Sequence, residues 1–257
     1  MAQTLPVESG FRPAAGMIYA RYLKSLHQGA PFDWYLEIGC RKGNTFAGSR
    51  SKTIAVDPYF QVDQNVITQK PALHVFQQTS DDFFASGFLK AIKAKLSFSF
   101  LDGMHLFEFL LRDIINTEAH SRADGIIALH DCIPFDHAMT TRDLDNLPSR
   151  AWTGDVWKIL PILRQYRPKM QIDVLDCQPS GLVLLSGLKP SDKSLSKAYD
   201  QIVADWADVT LQDYGLDRFY DQFEFVDARA DRIGGFQRFS HLRLDETEAT
   251  RPEYITP

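Results

Sequence analysis

The apolar positions of this chain gather into short dense runs separated by longer amphipathic stretches. Four runs, at 34–38, 53–56, 73–76 and 98–101, close on polar residues or glycine, and a fifth follows at 125–129. Runs so short and so continuously apolar predict strands buried on both faces, as in a parallel sheet. The intervals between them can hold helices. Met17, Ile18, Tyr22, Leu23 and Leu26 recur at helical spacing and predict a helix over 13–26, while Phe107, Leu110, Leu111, Ile114 and Ile115 mark a longer one over 106–119. A short helix is expected over 45–50, and another over 156–166 that Pro161 should kink or end in its first part. This alternation predicts a doubly wound, Rossmann-like α/β fold.

The runs at 172–175 and 182–185 are separated by a link containing Gln178, Pro179, Ser180 and Gly181, too short for a parallel crossover. They should form an antiparallel hairpin that completes a seven-stranded sheet. Beyond it, a helix is expected over 195–206 and an aromatic, acidic stretch over 214–225. The expected division is an N-terminal helical segment (1–30), a core (31–188) and a C-terminal helical appendage (189–257).

Composition narrows the function. The 257 residues suit one decorated α/β domain, and 44% hydrophobic with 24% charged residues is ordinary for a globular chain. A net charge of −5 supplies no overall basic field, which argues against a nucleic-acid polymer or an anionic membrane as partner. Cys40, Cys132 and Cys177 lack paired spacing and fit free thiols in a cytoplasmic protein. No stretch reaches the roughly 18 apolar residues that span a bilayer, and the N-terminus lacks the pattern of a secretion signal.

The candidate chemistry lies where the expected strands end. The loop from Glu37 through Gly39 and Gly43 to Thr45 can cradle a nucleoside, Gly39 allowing close backbone approach. Arg41 stands where a dinucleotide fingerprint needs its second glycine, which argues against NAD. Asp57, after the second run, can accept from both ribose hydroxyls. Ser80 falls where an adenine edge should lie and equally suits a helix N-cap. Asp102 and Asp131 both close predicted strands, and such a pair can converge on a hard divalent ion such as Mg²⁺ or serve as backbone caps at helix starts. His105 could turn into the same crevice as a general base or hold its loop. Trp152 and Trp157, beside Gly154, suit a sugar or aromatic acceptor or else an apolar anchor, and His130 joins them as an acceptor contact.

In order, the chain carries E-x-G-x-x-x-G-x-T from Glu37, V-D-P at Asp57, F-L-D-G-x-H ending at His105, and G-I-I-A-L-H-D ending at Asp131. Over about 33–187 this resembles the metal-dependent small-molecule O-methyltransferases related to catechol O-methyltransferase, and more closely the macrolide-sugar O-methyltransferase branch. The resemblance implies a class I fold using S-adenosylmethionine (SAM), whose strand plan of five parallel strands and a terminal antiparallel hairpin matches the one expected here. It places Glu37, Gly39 and Gly43 at the SAM site, Asp57 on the ribose, Asp102 and Asp131 on the metal, and His105 as base. Thr45, Ser80 and Asp102 complete the expected cofactor contacts. Cys132 departs from the pattern, standing where catechol-type enzymes have an asparagine ligand, which leaves the third protein ligand to the loop before the core or to His130.

The function expected is methyl transfer from SAM to a hydroxyl of a small molecule or sugar, with homo-oligomerisation left open. A metal-dependent hydrolase or oxygenase, or a catalytically silent SAM-fold module, are the alternatives. Hydroxylases occur among relatives with similar motifs.

Overall fold

A computed structural model describes residues 7–29, 31–67 and 69–245. Helix α1 (Tyr19–Gly29) precedes strand β1 (Trp34–Ile38), which is followed by β2 (Lys52–Val56), β3 (Leu73–Phe76), two short helices α2 (Ser80–Ala85) and α3 (Phe88–Ala91), and β4 (Leu96–Leu101). Helix α4 (Phe107–His120) leads into β5 (Ser121–His130), and α5 (Ile159–Tyr166) into the hairpin β6 (Gln171–Leu175) and β7 (Leu182–Ser186). Helices α6 (Ser194–Trp206), α7 (Leu211–Tyr214) and α8 (Leu216–Tyr220), strand β8 (Phe225–Val226) and helix α9 (Ala228–Ile233) follow.

The sheet order is β3-β2-β1-β4-β5-β7-β6-β8, with β1 to β5 parallel and β7 antiparallel to both β5 and β6. The apolar runs read as strands because their alternate side chains feed two cores. Leu36, Ile54, Val56, Leu101, Ile127 and Leu129 pack against Phe83, Phe107, Leu111, Ile114 and Leu160 on one face. On the other, Tyr35, Ala55, Phe98, Phe100, Ala128 and Leu184 meet Tyr22, Leu23 and Leu26 of α1. The segment after 189 closes both faces, Leu195, Ile202 and Phe219 on the first and Ala228, Phe236 and Phe239 on the second.

Four sequence expectations change. The sheet has eight strands, because Phe225 and Val226 pair in parallel with Val174 and Leu175, a contact too short to show periodicity. Helix α1 starts at Tyr19, well after residue 13, since the preceding residues run instead along the β6–β7 turn. There Gly16 N donates to Asp176 O at 2.7 Å, Gln178 N to Met17 O at 2.9 Å and Tyr19 N to Gln178 O at 3.0 Å. Residues 45–50 yield only a 3₁₀ turn, Phe46–Gly48. The 156–166 helix opens as a 3₁₀ turn (Val156–Lys158), and Pro161 lies in the first turn of α5, where its missing N–H leaves no bond unmade. No described helix is long and apolar enough to cross a membrane.

Parallel strands on either side of β1 connect in opposite directions, and such a reversal opens a crevice beyond the strands' carboxyl ends. Gly39, Asp57, Asp102 and Asp131 all lie at those ends.

Candidate active site

A cavity of about 910 Å³ occupies this crevice. Gly39 makes its floor possible: φ is +86°, and a Cβ there would lie 1.8 Å from the Asp102 carbonyl oxygen. The tight approach is held by Gly39 N donating to Val56 O at 3.0 Å and Asp102 N to Ile38 O at 2.9 Å. Asp57 is oriented by two backbone donors, Arg41 N at 2.7 Å and Tyr59 N at 2.6 Å, one on each carboxylate oxygen. Each oxygen keeps a second lone pair for a ribose hydroxyl.

Gly39, Thr45, Asp57, Ser80 and Asp102 line the cavity, whereas Glu37 and Gly43 do not. The Glu37 carboxylate is buried beneath the wall, accepting from the Tyr35 hydroxyl at 2.6 Å, and burial pushes its pKa up to about 8. Gly43 sits behind the loop, where a Cβ would come within 2.9 Å of Val66. Both therefore shape the loop without facing its ligand space. Ser80 is not the N-cap of α2; Thr79 is, its hydroxyl accepting from Asp82 N at 3.1 Å. Asp113 of α4 stands behind Ser80 and hydrogen-bonds to it.

At the β4 and β5 ends the two aspartates meet two histidines. His105 Nε2 is 3.5 Å from Asp102 Oδ1 and 3.4 Å from Asp131 Oδ2, while His130 Nδ1 is 3.2 Å from Asp102 Oδ1 and 3.3 Å from Asp131 Oδ1. Ligand atoms of Asp102, His105 and Asp131 all lie within 4.8 Å of one another. Burial opposes charge on Asp102 and on both histidines, yet the opposite charges outweigh it, lowering the pKa of Asp102 and raising those of the two rings. A cation placed here would take over the balancing role of those two protons. Asp131 adopts a left-handed backbone, φ +60°, and its Oδ1 accepts from the buried Ser180 hydroxyl.

The loop after β5 supports His105 from the other side. His105 Nδ1 lies 2.9 Å from Trp152 O, and since a carbonyl only accepts, the ring proton is on Nδ1. Gly154, φ +54°, packs so tightly that a Cβ would come within 1.6 Å of the His105 carbonyl oxygen. Next to it, Asp155 N donates to that same oxygen at 3.2 Å. The Asp155 carboxylate caps α4 by accepting from Phe107 N at 2.9 Å, and it pairs with Arg142 at 2.6 Å and the buried Lys158 at 2.7 Å. This network clamps the loop onto α4.

Of the three residues expected to touch an acceptor, Trp152 and His130 line the cavity and Trp157 does not. Only 1% exposed, Trp157 packs among Trp206, Tyr214 and Phe219, an anchor for the helices after the sheet rather than an acceptor contact. Cys132 is also turned away, its thiol donating back to His130 O at 3.4 Å. Among the described residues, the group of converging ligand-type atoms is Asp102, Asp131 and His105, where the sequence leaves the third member to the loop before the core or to His130. Residues missed from sequence include Tyr19, whose ring lies over His130 with centroids 3.8 Å apart, Ser180 and the Asp155–Arg142 clamp. An aromatic in the first turn of a helix and a serine in a hairpin turn carry no local signal of these roles.

No family model matches the chain, and no curated protein matches its sequence. Solved structures do show partial likeness. The O-methyltransferase from Bacillus cereus in complex with S-adenosylhomocysteine (SAH) is 13% identical with a TM-score of 0.47, covering 66% of this chain and 80% of that one. TomG, an O-methyltransferase of tomaymycin synthesis from Streptomyces achromogenes in complex with SAM, is 12% identical with a TM-score of 0.46, covering 65% and 78%. The MycE methyltransferase of the mycinamycin pathway, in complex with Mg, SAH and mycinamycin VI, is 11% identical with a TM-score of 0.43, and 49% of its length is covered by 68% of this chain.

Proposed function

We propose that this chain is a SAM-dependent O-methyltransferase acting on a hydroxyl of a small molecule or sugar with the help of a divalent cation. One observation carries it: a single cavity joins a glycine loop and a ribose-type carboxylate at the β1 and β2 ends to an Asp-His-Asp cluster at the β4 and β5 ends. The cavity volume, about 910 Å³, is near the upper end for a small-molecule site and has room for a nucleoside cofactor beside an acceptor.

The cluster fits a divalent ion, because two carboxylates and an imidazole converge within 4.8 Å at the cavity wall. Asp102, Asp131 and His105 would hold it, and when bound it would lower the pKa of the acceptor hydroxyl. The remaining work belongs to the protein. Gly39 admits the cofactor backbone-close, Asp57 accepts from the ribose, and Tyr19 and Trp152 wall the acceptor side against water. The sulfonium–methyl bond breaks to leave a neutral thioether as the methyl joins the acceptor oxygen, whose proton passes to water, so holding the two in line is the main requirement.

Thermal unfolding with SAH tests this reading. A ligand that binds only the folded state at about 100 times its Kd adds about 2.7 kcal/mol, which for a chain of this size raises Tm by roughly 5–10 °C. Wild type should show that rise, and folded Gly39→Val and Asp57→Ala variants should lose it. Wild type unmoved by saturating SAH and SAM would end the proposal.

A further inference from the structure

The choice of cation deepens the metal-assisted reading and rests on it. His105 and His130 contribute different atoms under different constraints. With Nδ1 donating to Trp152 O at 2.9 Å, His105 turns Nε2, where an ion would replace the proton, toward Asp102 Oδ1 at 3.5 Å and Asp131 Oδ2 at 3.4 Å. That bond and the Trp152 ring, 5.0 Å away between centroids, hold the imidazole, while Asp155 N and Gly154 fix the backbone that carries it. Ligand atoms about 2.1 Å from one ion lie about 3.0 Å apart in an octahedron and about 3.4 Å apart in a tetrahedron. The His105 separations fall beside those values before any ion draws the groups together.

His130 shares Asp102 Oδ1 with His105 but faces the other oxygen of Asp131. Its Nδ1 lies 3.2 Å from Asp102 Oδ1 and 3.3 Å from Asp131 Oδ1, and Asp131 Oδ1 already accepts from Ser180. That oxygen already holds the Ser180 hydroxyl and faces the His130 ring nitrogen, which leaves Asp131 Oδ2, on the His105 side, as the oxygen for an ion. Tyr19 lies over the His130 ring at 3.8 Å and backs it on this side.

We infer that the site binds a first-row transition ion, of the Mn²⁺, Fe²⁺, Co²⁺ or Zn²⁺ kind, through Asp102, Asp131 Oδ2 and His105 Nε2, in preference to Mg²⁺. His130 is a positioning residue, its Nδ1–H directing both carboxylates. The reason is chemical. Mg²⁺ takes oxygen ligands and keeps its waters, whereas an imidazole nitrogen held at ligand distance suits the transition series. His105 thereby acts as a ligand and not as the proton acceptor expected from its motif.

Chelator-treated full-length protein is titrated calorimetrically with Mg²⁺, Mn²⁺, Co²⁺ and Zn²⁺, and the Mn²⁺ form is examined by pulsed EPR for nitrogen hyperfine coupling. Co²⁺ and Zn²⁺ should bind at least about 100-fold more tightly than Mg²⁺. Nitrogen coupling should be present in wild type, absent in His105→Gln, and retained in His130→Gln, whose affinity falls by about 10- to 100-fold. Equal affinity for Mg²⁺ and Co²⁺, or Mn²⁺ bound without nitrogen coupling in wild type, overturns the inference whether or not the variants fold. Coupling that survives in His105→Gln and vanishes in His130→Gln overturns the assignment of the ligand. SAH stabilisation is recorded in parallel. Metal selectivity without an SAH response refutes methyl transfer alone, while an SAH response with no preference for transition ions refutes this inference alone.

Discussion

Replacing Asp113 by asparagine should make the protein's stability less sensitive to alkaline pH. Asp113 is 2% exposed on α4, and its Oδ1 has no hydrogen-bond partner among the described residues. Burial dominates and pushes its pKa up to about 7, against the smaller pull of the Ser80 hydroxyl and Arg112. From an ordinary value of 3.8 this is a rise of roughly 3 units, and at about 1.4 kcal/mol per unit ionisation costs the folded state on the order of 4 kcal/mol. Between those two values the folded protein keeps a proton that the unfolded chain has released. Its contribution is therefore fully present below the unfolded value, declines as pH rises, and is lost once pH passes the folded value near 7. Asparagine has nearly the same shape, still accepts from Ser80 and never ionises. Its stability relative to wild type should thus grow by about 3 kcal/mol between about pH 5 and about pH 9, read from urea-unfolding curves at each pH. Glu37, also raised by burial, contributes equally to both proteins and cancels in the comparison. Parallel wild-type and variant curves across the range would refute the claim that Asp113 carries a desolvation cost.

Ser180→Ala removes the hydroxyl that fixes Asp131 Oδ1, so metal affinity should fall by about 10- to 100-fold while SAH still raises Tm as in wild type; calorimetry showing wild-type metal affinity would contradict this. Trp157→Ala should cost about 3–5 kcal/mol of stability by opening a cavity among Trp206, Tyr214 and Phe219. Unchanged stability in urea unfolding of Trp157→Ala would refute its role as a core anchor.

Much of the site was legible because it sits at strand ends that hydrophobic patterning locates. Asp57, Asp102 and Asp131 each follow an apolar run, and in a parallel sheet such positions share one edge. The partners that set their chemistry are another matter. Ser180 reaches Asp131 only through the antiparallel register that pairs His130 with Leu182, and no local pattern encodes that register. Trp152 and Trp157 lie five positions apart and look alike in sequence, yet one lines the cavity and the other fills the core, a choice made by helices that arrive much later in the chain. The D-G-x-H motif similarly announces His105 but not the Trp152 carbonyl that selects its tautomer. β8 escaped notice for the opposite reason: two residues are too few to establish a period.

The strap from Gly16 to Tyr19 has a consequence for the order in which the protein acquires its parts. Its bonds run to Asp176 and Gln178, and the Gln178 side chain reaches Ala15 across 163 positions. During synthesis from the N-terminus, the loop bearing Gly39 and the acid at Asp57 emerge long before the hairpin on which the strap docks. Contacts of such separation close late, once their loop-closure entropy can be recovered by many other contacts. The Gly39 loop and the Asp102 backbone it packs on have therefore left the ribosome while the Tyr19 wall beside His130 still has no hairpin to dock against. Two neighbouring halves of one cavity thus draw on different reaches of the chain, one complete once β4 has been made and the other only once the hairpin has.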